Sequence, residues 1–345
     1  MKKLSALIIL GIGVTLVAFL FISCQQTAVT SAKVYMQQSN YDKAIEQCKI
    51  AIKQMPNDAE AYFVLGEAYG KKRMYHEMNE AFKKSLEFSQ KHAEEIKHER
   101  LKYWVGIFNS GVALVKQNKP EEAIKKFSLA IELLPNKTEA YKNLAYAYSQ
   151  VNDDSSAIQT YLKAIKIDPN DLELKDFLGL FYYRAKQYDK AIEVLKEVIA
   201  KADPKSKVYK DAIYNLAYSY DLTGQSDKAL ETYRSALKAA PGDKDLLFNM
   251  GRLYFIQKNY DKAIEKFQEV IKIDSTDFDA HLNIGNAYLQ LNKFKEAIPY
   301  FEKATQFKPD NATAWNNLGV AYVRAGFPKK GKAAFDKADE LKGVK

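Results

Sequence analysis

Cysteine, proline, glycine and histidine are all scarce in this chain. Two cysteines in 345 residues exclude a disulfide framework. Only 9 prolines and 15 glycines stand against 23 tyrosines and 18 phenylalanines, so turns are economical and rings for helix-to-helix packing are plentiful. That balance favours an all-α fold. Four histidines, with no G-x-S-x-G, no H-E-x-x-H and no Gly-rich phosphate loop, leave nothing from which to build a catalytic constellation. No enzyme activity, cofactor or metal is expected. The 52 Lys and Arg exceed the 43 Asp and Glu by nine, but they are interleaved at helical spacing and form no long basic block. A nucleic-acid partner is therefore not expected, whereas the mild excess suits a protein held close to anionic lipid.

The one long uncharged run, Leu4 to Ser23, follows Lys2 and Lys3 and has the basic and apolar regions of an export signal. It ends Phe21, Ile22, Ser23, Cys24, which resembles the lipobox of bacterial lipoproteins, although Phe21 stands where that pattern usually has Leu. The resemblance implies a signal peptide over 1–23, acylation of Cys24 and a lipid-anchored protein of the cell envelope. An uncleaved transmembrane anchor is the alternative, because about 20 apolar residues can span a bilayer. Both readings put everything after Cys24 outside the inner membrane. If lipid takes Cys24, Cys48 has no disulfide partner within the chain and reads as a small core residue.

Recurring words organise the remainder. YDKAIE occurs at Tyr41, Tyr188 and Tyr260, and an offset of about 34 residues links Gly251 to Gly285, Tyr254 to Tyr288, Ala263 to Ala297 and Phe267 to Phe301. Parsed on that period, units begin at Gln25, Ala59, Trp104, Thr138, Leu172, Lys210, Lys244, Phe278 and Ala312, with insertions at 93–103 and 206–209. These nine units account for residues 25–345, and no second domain is expected. Each unit places small residues eighth (Ala32, Gly66, Gly111, Ala145, Gly179, Ala217, Gly251, Gly285, Gly319) and, in seven of the nine, alanine twentieth. Tyrosine recurs eleventh and phenylalanine twenty-fourth, as Phe82, Phe127, Phe267, Phe301 and Phe335. Large against small at fixed offsets is how two helices interdigitate without voids. Pro56, Pro135, Pro169, Pro241 and Pro309 stop the second helix, because proline cannot donate the bond that continuation needs.

This pattern resembles the tetratricopeptide repeat. The resemblance implies an all-α, right-handed α-solenoid superhelix of about nine repeats, with first helices lining a concave groove. It also implies a partner site, because asparagine recurs at the sixth position as Asn109, Asn143, Asn215, Asn249, Asn283 and Asn317. Amide side chains donate and accept, so a ladder of them suits the backbone of an extended peptide. Equally, asparagine there could serve only local hydrogen bonding or face water. Phe248 and Phe255, with Ile256, Leu282 and Leu289, would add an apolar patch to the groove.

The segment Gln90–Lys102 is expected to extend the second helix of the second unit. His92 and His98, six residues apart, do not share one helical face well and are not expected to hold metal with Glu94 and Glu95. The function expected is an envelope scaffold binding protein partners, as extended segments or helices, and the alternative is a dedicated subunit of an envelope machine: outer-membrane protein assembly, a pilus or secretin pilot, or a transport accessory. Self-association through one end of the solenoid is open.

Overall fold

A computed structural model describes residues 28–343, which form eighteen helices and no strand. The signal segment and Cys24 lie outside the described residues. The chain divides into two compact units, Met1–Asn170 and Asp171–Lys345. The first contains α1 (28–37), α2 (Tyr41–Gln54), α3 (Ala59–Lys71), α4 (Tyr75–Phe88), α5 (Ala93–Lys116), α6 (Pro120–Leu133), α7 (Thr138–Gln150) and α8 (Asp154–Ile167). The second contains α9 (Leu172–Arg184), α10 (Tyr188–Lys201), α11 (Lys207–Leu222), α12 (Ser226–Ala239), α13 (Lys244–Ile256), α14 (Tyr260–Ile273), α15 (Phe278–Gln290), α16 (Phe294–Phe307), α17 (Ala312–Arg324) and α18 (Pro328–Lys342). Odd-numbered helices are the first of each repeat and even-numbered ones the second. Each pair packs as an antiparallel hairpin, so the fold is an all-α tetratricopeptide solenoid architecture.

Local chemistry sets the ends. Asp58, Asp171, Asp243, Asp277 and Asn311 cap first helices, their side chains accepting from backbone N–H groups that have no partner inside the helix. Pro56, Pro135, Pro169, Pro241 and Pro309 each follow the C-cap of a second helix directly. Between the helices of every repeat the fifteenth residue takes a left-handed backbone: Ser39, Arg73, Asn118, Asn152, Lys186, Gly224, Lys258, Asn292 and Gly326 all have φ between 56° and 90°. Only five of these are the Gly or Asn that adopt this conformation readily.

In five of the nine hairpins the interior is a phenylalanine ring seated on a glycine; Gly179 seats Leu195, and Ala32, Ala145 and Ala217 stand at the eighth position of the other three. A Cβ added at Gly285 would lie 2.6 Å from Phe301 Cε1, and one at Gly251 would lie 2.8 Å from Phe267 Cε1, both rings being fully buried. The partner always follows by sixteen residues, so Gly66 meets Phe82, Gly111 meets Phe127, Gly179 meets Leu195 and Gly319 meets Phe335. Where the eighth residue is Ala32, position 48 holds a smaller partner, Cys48, a buried free thiol whose pKa burial pushes up to about 12. It is a core residue. Under the start of α1, Ala28 and Val29 pack on Ala51 and Ala61.

The segment Gln90–Lys102 does not extend the second helix of its unit. The second helix α4 stops at Phe88 and the added residues lengthen the following first helix, α5, at its front. His92 explains the break: it is buried, stacked 4.1 Å from the Phe63 ring and bonded at 2.8 Å to Glu60. Ile96 then enters the core beside Met78 and Phe82. Glu60 also accepts from Lys33 at 2.6 Å and Lys91 at 2.7 Å; its partial burial raises its pKa, but these bonds with that of His92 outweigh it and hold it at about 2. In the second unit Lys210 bridges Asp243 and Asp245, and one repeat later Lys244 bridges Asp274 and Asp277, all at 2.8 to 3.0 Å.

One buried carboxylate is poorly served. Asp176 on α9 is 5% exposed, and its Oδ1 has no hydrogen-bond partner among the described residues. Burial, with Asp211 nearby, pushes its pKa up to about 7, and the Lys207 charge offsets only part of this. The folded state thus holds a proton that the unfolded chain releases near pH 4, so the contribution of Asp176 to stability falls as pH rises from about 4 to 7. Removing the charge with Asp176→Asn is expected to stabilise the protein at pH 8 by about 2 to 4 kcal/mol in urea denaturation, with the gain gone at pH 4. An equal effect at both pH values would contradict this assignment. The ring seats make a second prediction by the same assay. Gly285→Ala should destabilise by about 1–3 kcal/mol through overpacking. Gly106→Ala, where a Cβ meets nothing within 4 Å, should stabilise by about 0.5–1 kcal/mol through helix propensity.

Candidate functional site

Packing of the small eighth residue against the second helix fixes the rotation of the first helices. Successive residues turn by about 100°, so a residue two before the eighth points roughly 160° away from the second helix, and the ninth lies about 60° from the sixth. The sixth and ninth positions therefore share the face of each first helix turned from its hairpin partner. In the second unit, α9, α11, α13, α15 and α17 carry Phe177, Asn215, Asn249, Asn283 and Asn317 at the sixth position; in the first unit α5 and α7 carry Asn109 and Asn143.

The amides fall into three groups. Asn143, Asn249 and Asn283 donate from Nδ2 to the carbonyl four residues earlier in their own helix, those of Glu139, Asp245 and Asp279, at 2.8 to 2.9 Å. This is the local bonding that asparagine makes without any ligand, and it fixes the side-chain rotamer. Two amides are bonded across repeats. Tyr218 Oη donates to Asn249 Oδ1 at 2.8 Å, Arg252 Nη1 donates to Tyr218 Oη at 3.3 Å, and Asn317 Nδ2 donates to Asn286 Oδ1 at 2.9 Å. Asn109 and Asn215 form the third group and have no side-chain hydrogen bond among the described residues.

The two cross-repeat bonds that involve these amides join the sixth residue of one repeat to the ninth of the repeat before it, a spacing of 31 residues, whereas Arg252 and Tyr218 are both ninth residues, 34 apart. The ninth-position residues Tyr218, Arg252 and Asn286 were not singled out by sequence reasoning. The signal that could have found them is that offset, three short of the repeat. After these bonds Asn249 has both its oxygen and one N–H engaged, whereas Asn283 keeps its carbonyl oxygen and Asn215 its whole amide. A small recess between α11 and α13 opens beside this relay, lined by Tyr218, Asp221, Asn249, Arg252 and Ile256. Ile256 is 61% exposed there.

The aromatic patch takes a different form from the one the sequence suggested. Phe248 packs on the Phe267 ring at 5.3 Å, Phe255 meets Tyr260 edge-on at 5.3 Å, and Leu282 and Leu289 join the cluster around Phe301 and Leu318. These side chains support the hairpins, and Ile256 remains the exposed apolar residue of the group. No group of three or more His, Cys, Asp or Glu residues among those described could hold a metal ion. No helix among the described residues is long and apolar enough to cross a membrane.

Comparison with known proteins adds the lineage. Models described as TPR repeat match residues 32–72, 251–292 and 285–326, and models described as tetratricopeptide repeat match 59–92, 138–171 and 172–242. The chain is 24% identical over 238 residues to Hsp70-Hsp90 organizing protein 3 of Arabidopsis thaliana, covering 61% of this chain and 42% of that one. It is 31% identical over 97 residues to TPR repeat-containing protein MJ0263 of Methanocaldococcus jannaschii, covering 28% of this chain and 30% of that one. The chain spans less than half the length of the curated relatives it matches. Among solved structures, Pseudomonas aeruginosa pilF aligns with a TM-score of 0.48 at 17% identity over 61% of this chain and 95% of that one. YrrB, titled a TPR protein with an unusual peptide-binding site, aligns with a TM-score of 0.42 at 24% identity over 55% and 95%. With its family models spread over repeats in both units, its ring seats on a 34-residue period and its hairpin architecture, the chain belongs to the tetratricopeptide-repeat family.

Proposed function

We propose that this protein is a scaffold that holds extended segments of partner proteins against the first-helix face of its repeats, and that a lipid on Cys24 keeps it at the membrane of a bacterial cell envelope, on the non-cytoplasmic side. Protein interaction is the common role of tetratricopeptide repeats. The observation that supports the peptide reading here is the state of the amides in the second unit: Asn215 has no side-chain bond, and Asn283 keeps an unused acceptor oxygen. An extended peptide presents N–H and C=O groups regardless of its sequence, and such amides answer both. The Asn249–Tyr218–Arg252 relay, already satisfied internally, acts as a rigid spacer between these two, and Ile256 offers an apolar contact for a partner side chain.

The envelope reading rests on the sequence of the first 24 residues. A photo-crosslinking amino acid placed at Asn283 in cells should give discrete partner adducts that are lost when Asn215 and Asn317 are both changed to Ala. The same probe at Lys272, exposed on the second helix α14, should give none. Equal adducts from both sites, or adducts that survive the double change, would refute the amide face as the partner site. Radioactive palmitate should label the unaltered protein, whose mature chain should begin at Cys24, and Cys24→Ser should abolish that labelling; an unaltered protein that takes no label and keeps residues 1–23 would favour the uncleaved anchor.

A further inference from the structure

Among the described residues, two clefts each gather four basic side chains, and they differ in whether a carboxylate also lines them. In the second unit, a cleft of about 460 Å³ holds Arg234, Lys238, Lys262 and Lys266. There Lys266 is paired with Glu265 and Glu269 at 3.0 and 2.7 Å, and Arg234 donates to Tyr254 Oη at 3.1 Å. One of its four cations is thus paired with carboxylates, and one of those carboxylates, Glu265, itself lines the cleft.

The first unit has a larger cleft, about 780 Å³, between the end of α3, the turn into α4, and helices α5 and α6. Lys71, Arg73, Lys102 and Lys126 line it, with the hydroxyls of Tyr75, Tyr103 and Ser110. Of the four cations only Lys102 is paired, to Glu99 on its own helix at 3.1 Å; Lys71, Arg73 and Lys126 have no carboxylate within ion-pair distance among the described residues. Glu67 lies near Lys71 and Lys102, but it is half-buried, its burial and the Glu99 charge raising its pKa. No carboxylate is among the residues lining the cleft.

Shape and chemistry agree. Tyr75 and Tyr103 stand with ring centroids 5.4 Å apart and form one wall, with the Lys102 ammonium 5.2 Å from the Tyr103 centroid. Burial, reinforced by Glu99, pushes the Tyr103 phenol up to about 12; like any tyrosine hydroxyl it can donate a hydrogen bond at physiological pH. At the floor, Gly106 sits in the interior of α5, where a Cβ would meet nothing within 4 Å, so the absence of a side chain there leaves the cleft open. The cleft thus offers cations and hydroxyls, and it lacks a carboxylate of its own. Its complement is a compact, multiply charged group that only accepts hydrogen bonds.

We propose that this cleft is a binding site for a phosphate-bearing ligand. A phosphate has more than one negative charge near neutral pH and three terminal oxygens, enough to engage several of these donors at once. Three unpaired cations on three different segments, the end of α3, its following turn and α6, surround one opening, which spreads the recognition over two repeats. The site shares helix α5 with the amide row, but Asn109 is not among the residues that line it.

The probe is inorganic pyrophosphate, titrated calorimetrically into the full protein at low and at physiological salt. Saturable one-to-one binding is expected, weakened about tenfold or more by Lys126→Gln. Gly106→Leu, which fills the floor and removes no charge, should weaken it comparably, whereas Lys238→Gln in the other basic cleft should leave it unchanged. Vesicles of phosphatidylcholine containing phosphatidic acid distinguish the source: binding lost in the same two variants identifies a lipid headgroup, and pyrophosphate binding without vesicle binding identifies a soluble phosphate compound. Absence of saturable binding, an equal loss in Lys238→Gln, or displacement of pyrophosphate by hexaglutamate at equal concentration would overturn the proposal.

Discussion

The hairpins of this structure depend on one kind of contact: a side chain of the second helix seated on a small residue of the first, sixteen residues earlier, which is glycine in six repeats and alanine in three. The contact brings two helices of about fourteen residues to closest approach, and short helices have little stability without such packing. Because the ring is fully buried in Phe82, Phe127, Phe267 and Phe301, it has no room to yield. Repeat one reaches the same end by reducing both partners, with Ala32 and Cys48.

Rotation is the second consequence. Once the eighth residue faces the partner helix, the sixth and ninth must share the opposite face, whatever they are. The same contact that builds the hairpin therefore carries Asn249 to Tyr218 and Asn317 to Asn286 in the neighbouring repeat. A binding face assembled this way costs no extra structure. It also tolerates change, because residues at the sixth and ninth positions can vary without disturbing the ring beneath, which is how one architecture can serve many partners.

Most of the fold was legible in the chain. The period, the small-to-large pairs and the stop prolines were each visible as residue types at fixed offsets. The left-handed turn residue was not, since Ser39, Arg73, Lys186 and Lys258 carry no glycine or asparagine signal and are held there by the helices on either side. Nor was the direction of the Gln90–Lys102 segment, whose helical character gave no clue to which neighbour it joins; the grip of Phe63 and Glu60 on His92 decides it. At the candidate site, the amide row was readable as a recurrence, but its bonding was not. Whether Asn249 faces a ligand or a tyrosine depends on the ninth residue of another repeat. Phe248 and Phe255 read as groove residues because periodicity cannot separate a ring lying on its own hairpin from one turned outward.

The most direct test of the seating contact is a double-mutant cycle at Gly251 and Phe267, measured by urea denaturation followed by circular dichroism. Gly251→Ala alone and Phe267→Cys alone should each destabilise, the first by overpacking and the second by leaving a cavity. In the double variant, which reproduces the Ala32 and Cys48 pairing of repeat one, the alanine should add no penalty, giving a coupling of about 1 kcal/mol or more. Penalties that simply add would mean that the glycine and the ring do not depend on each other, and the account built on their contact would be contradicted.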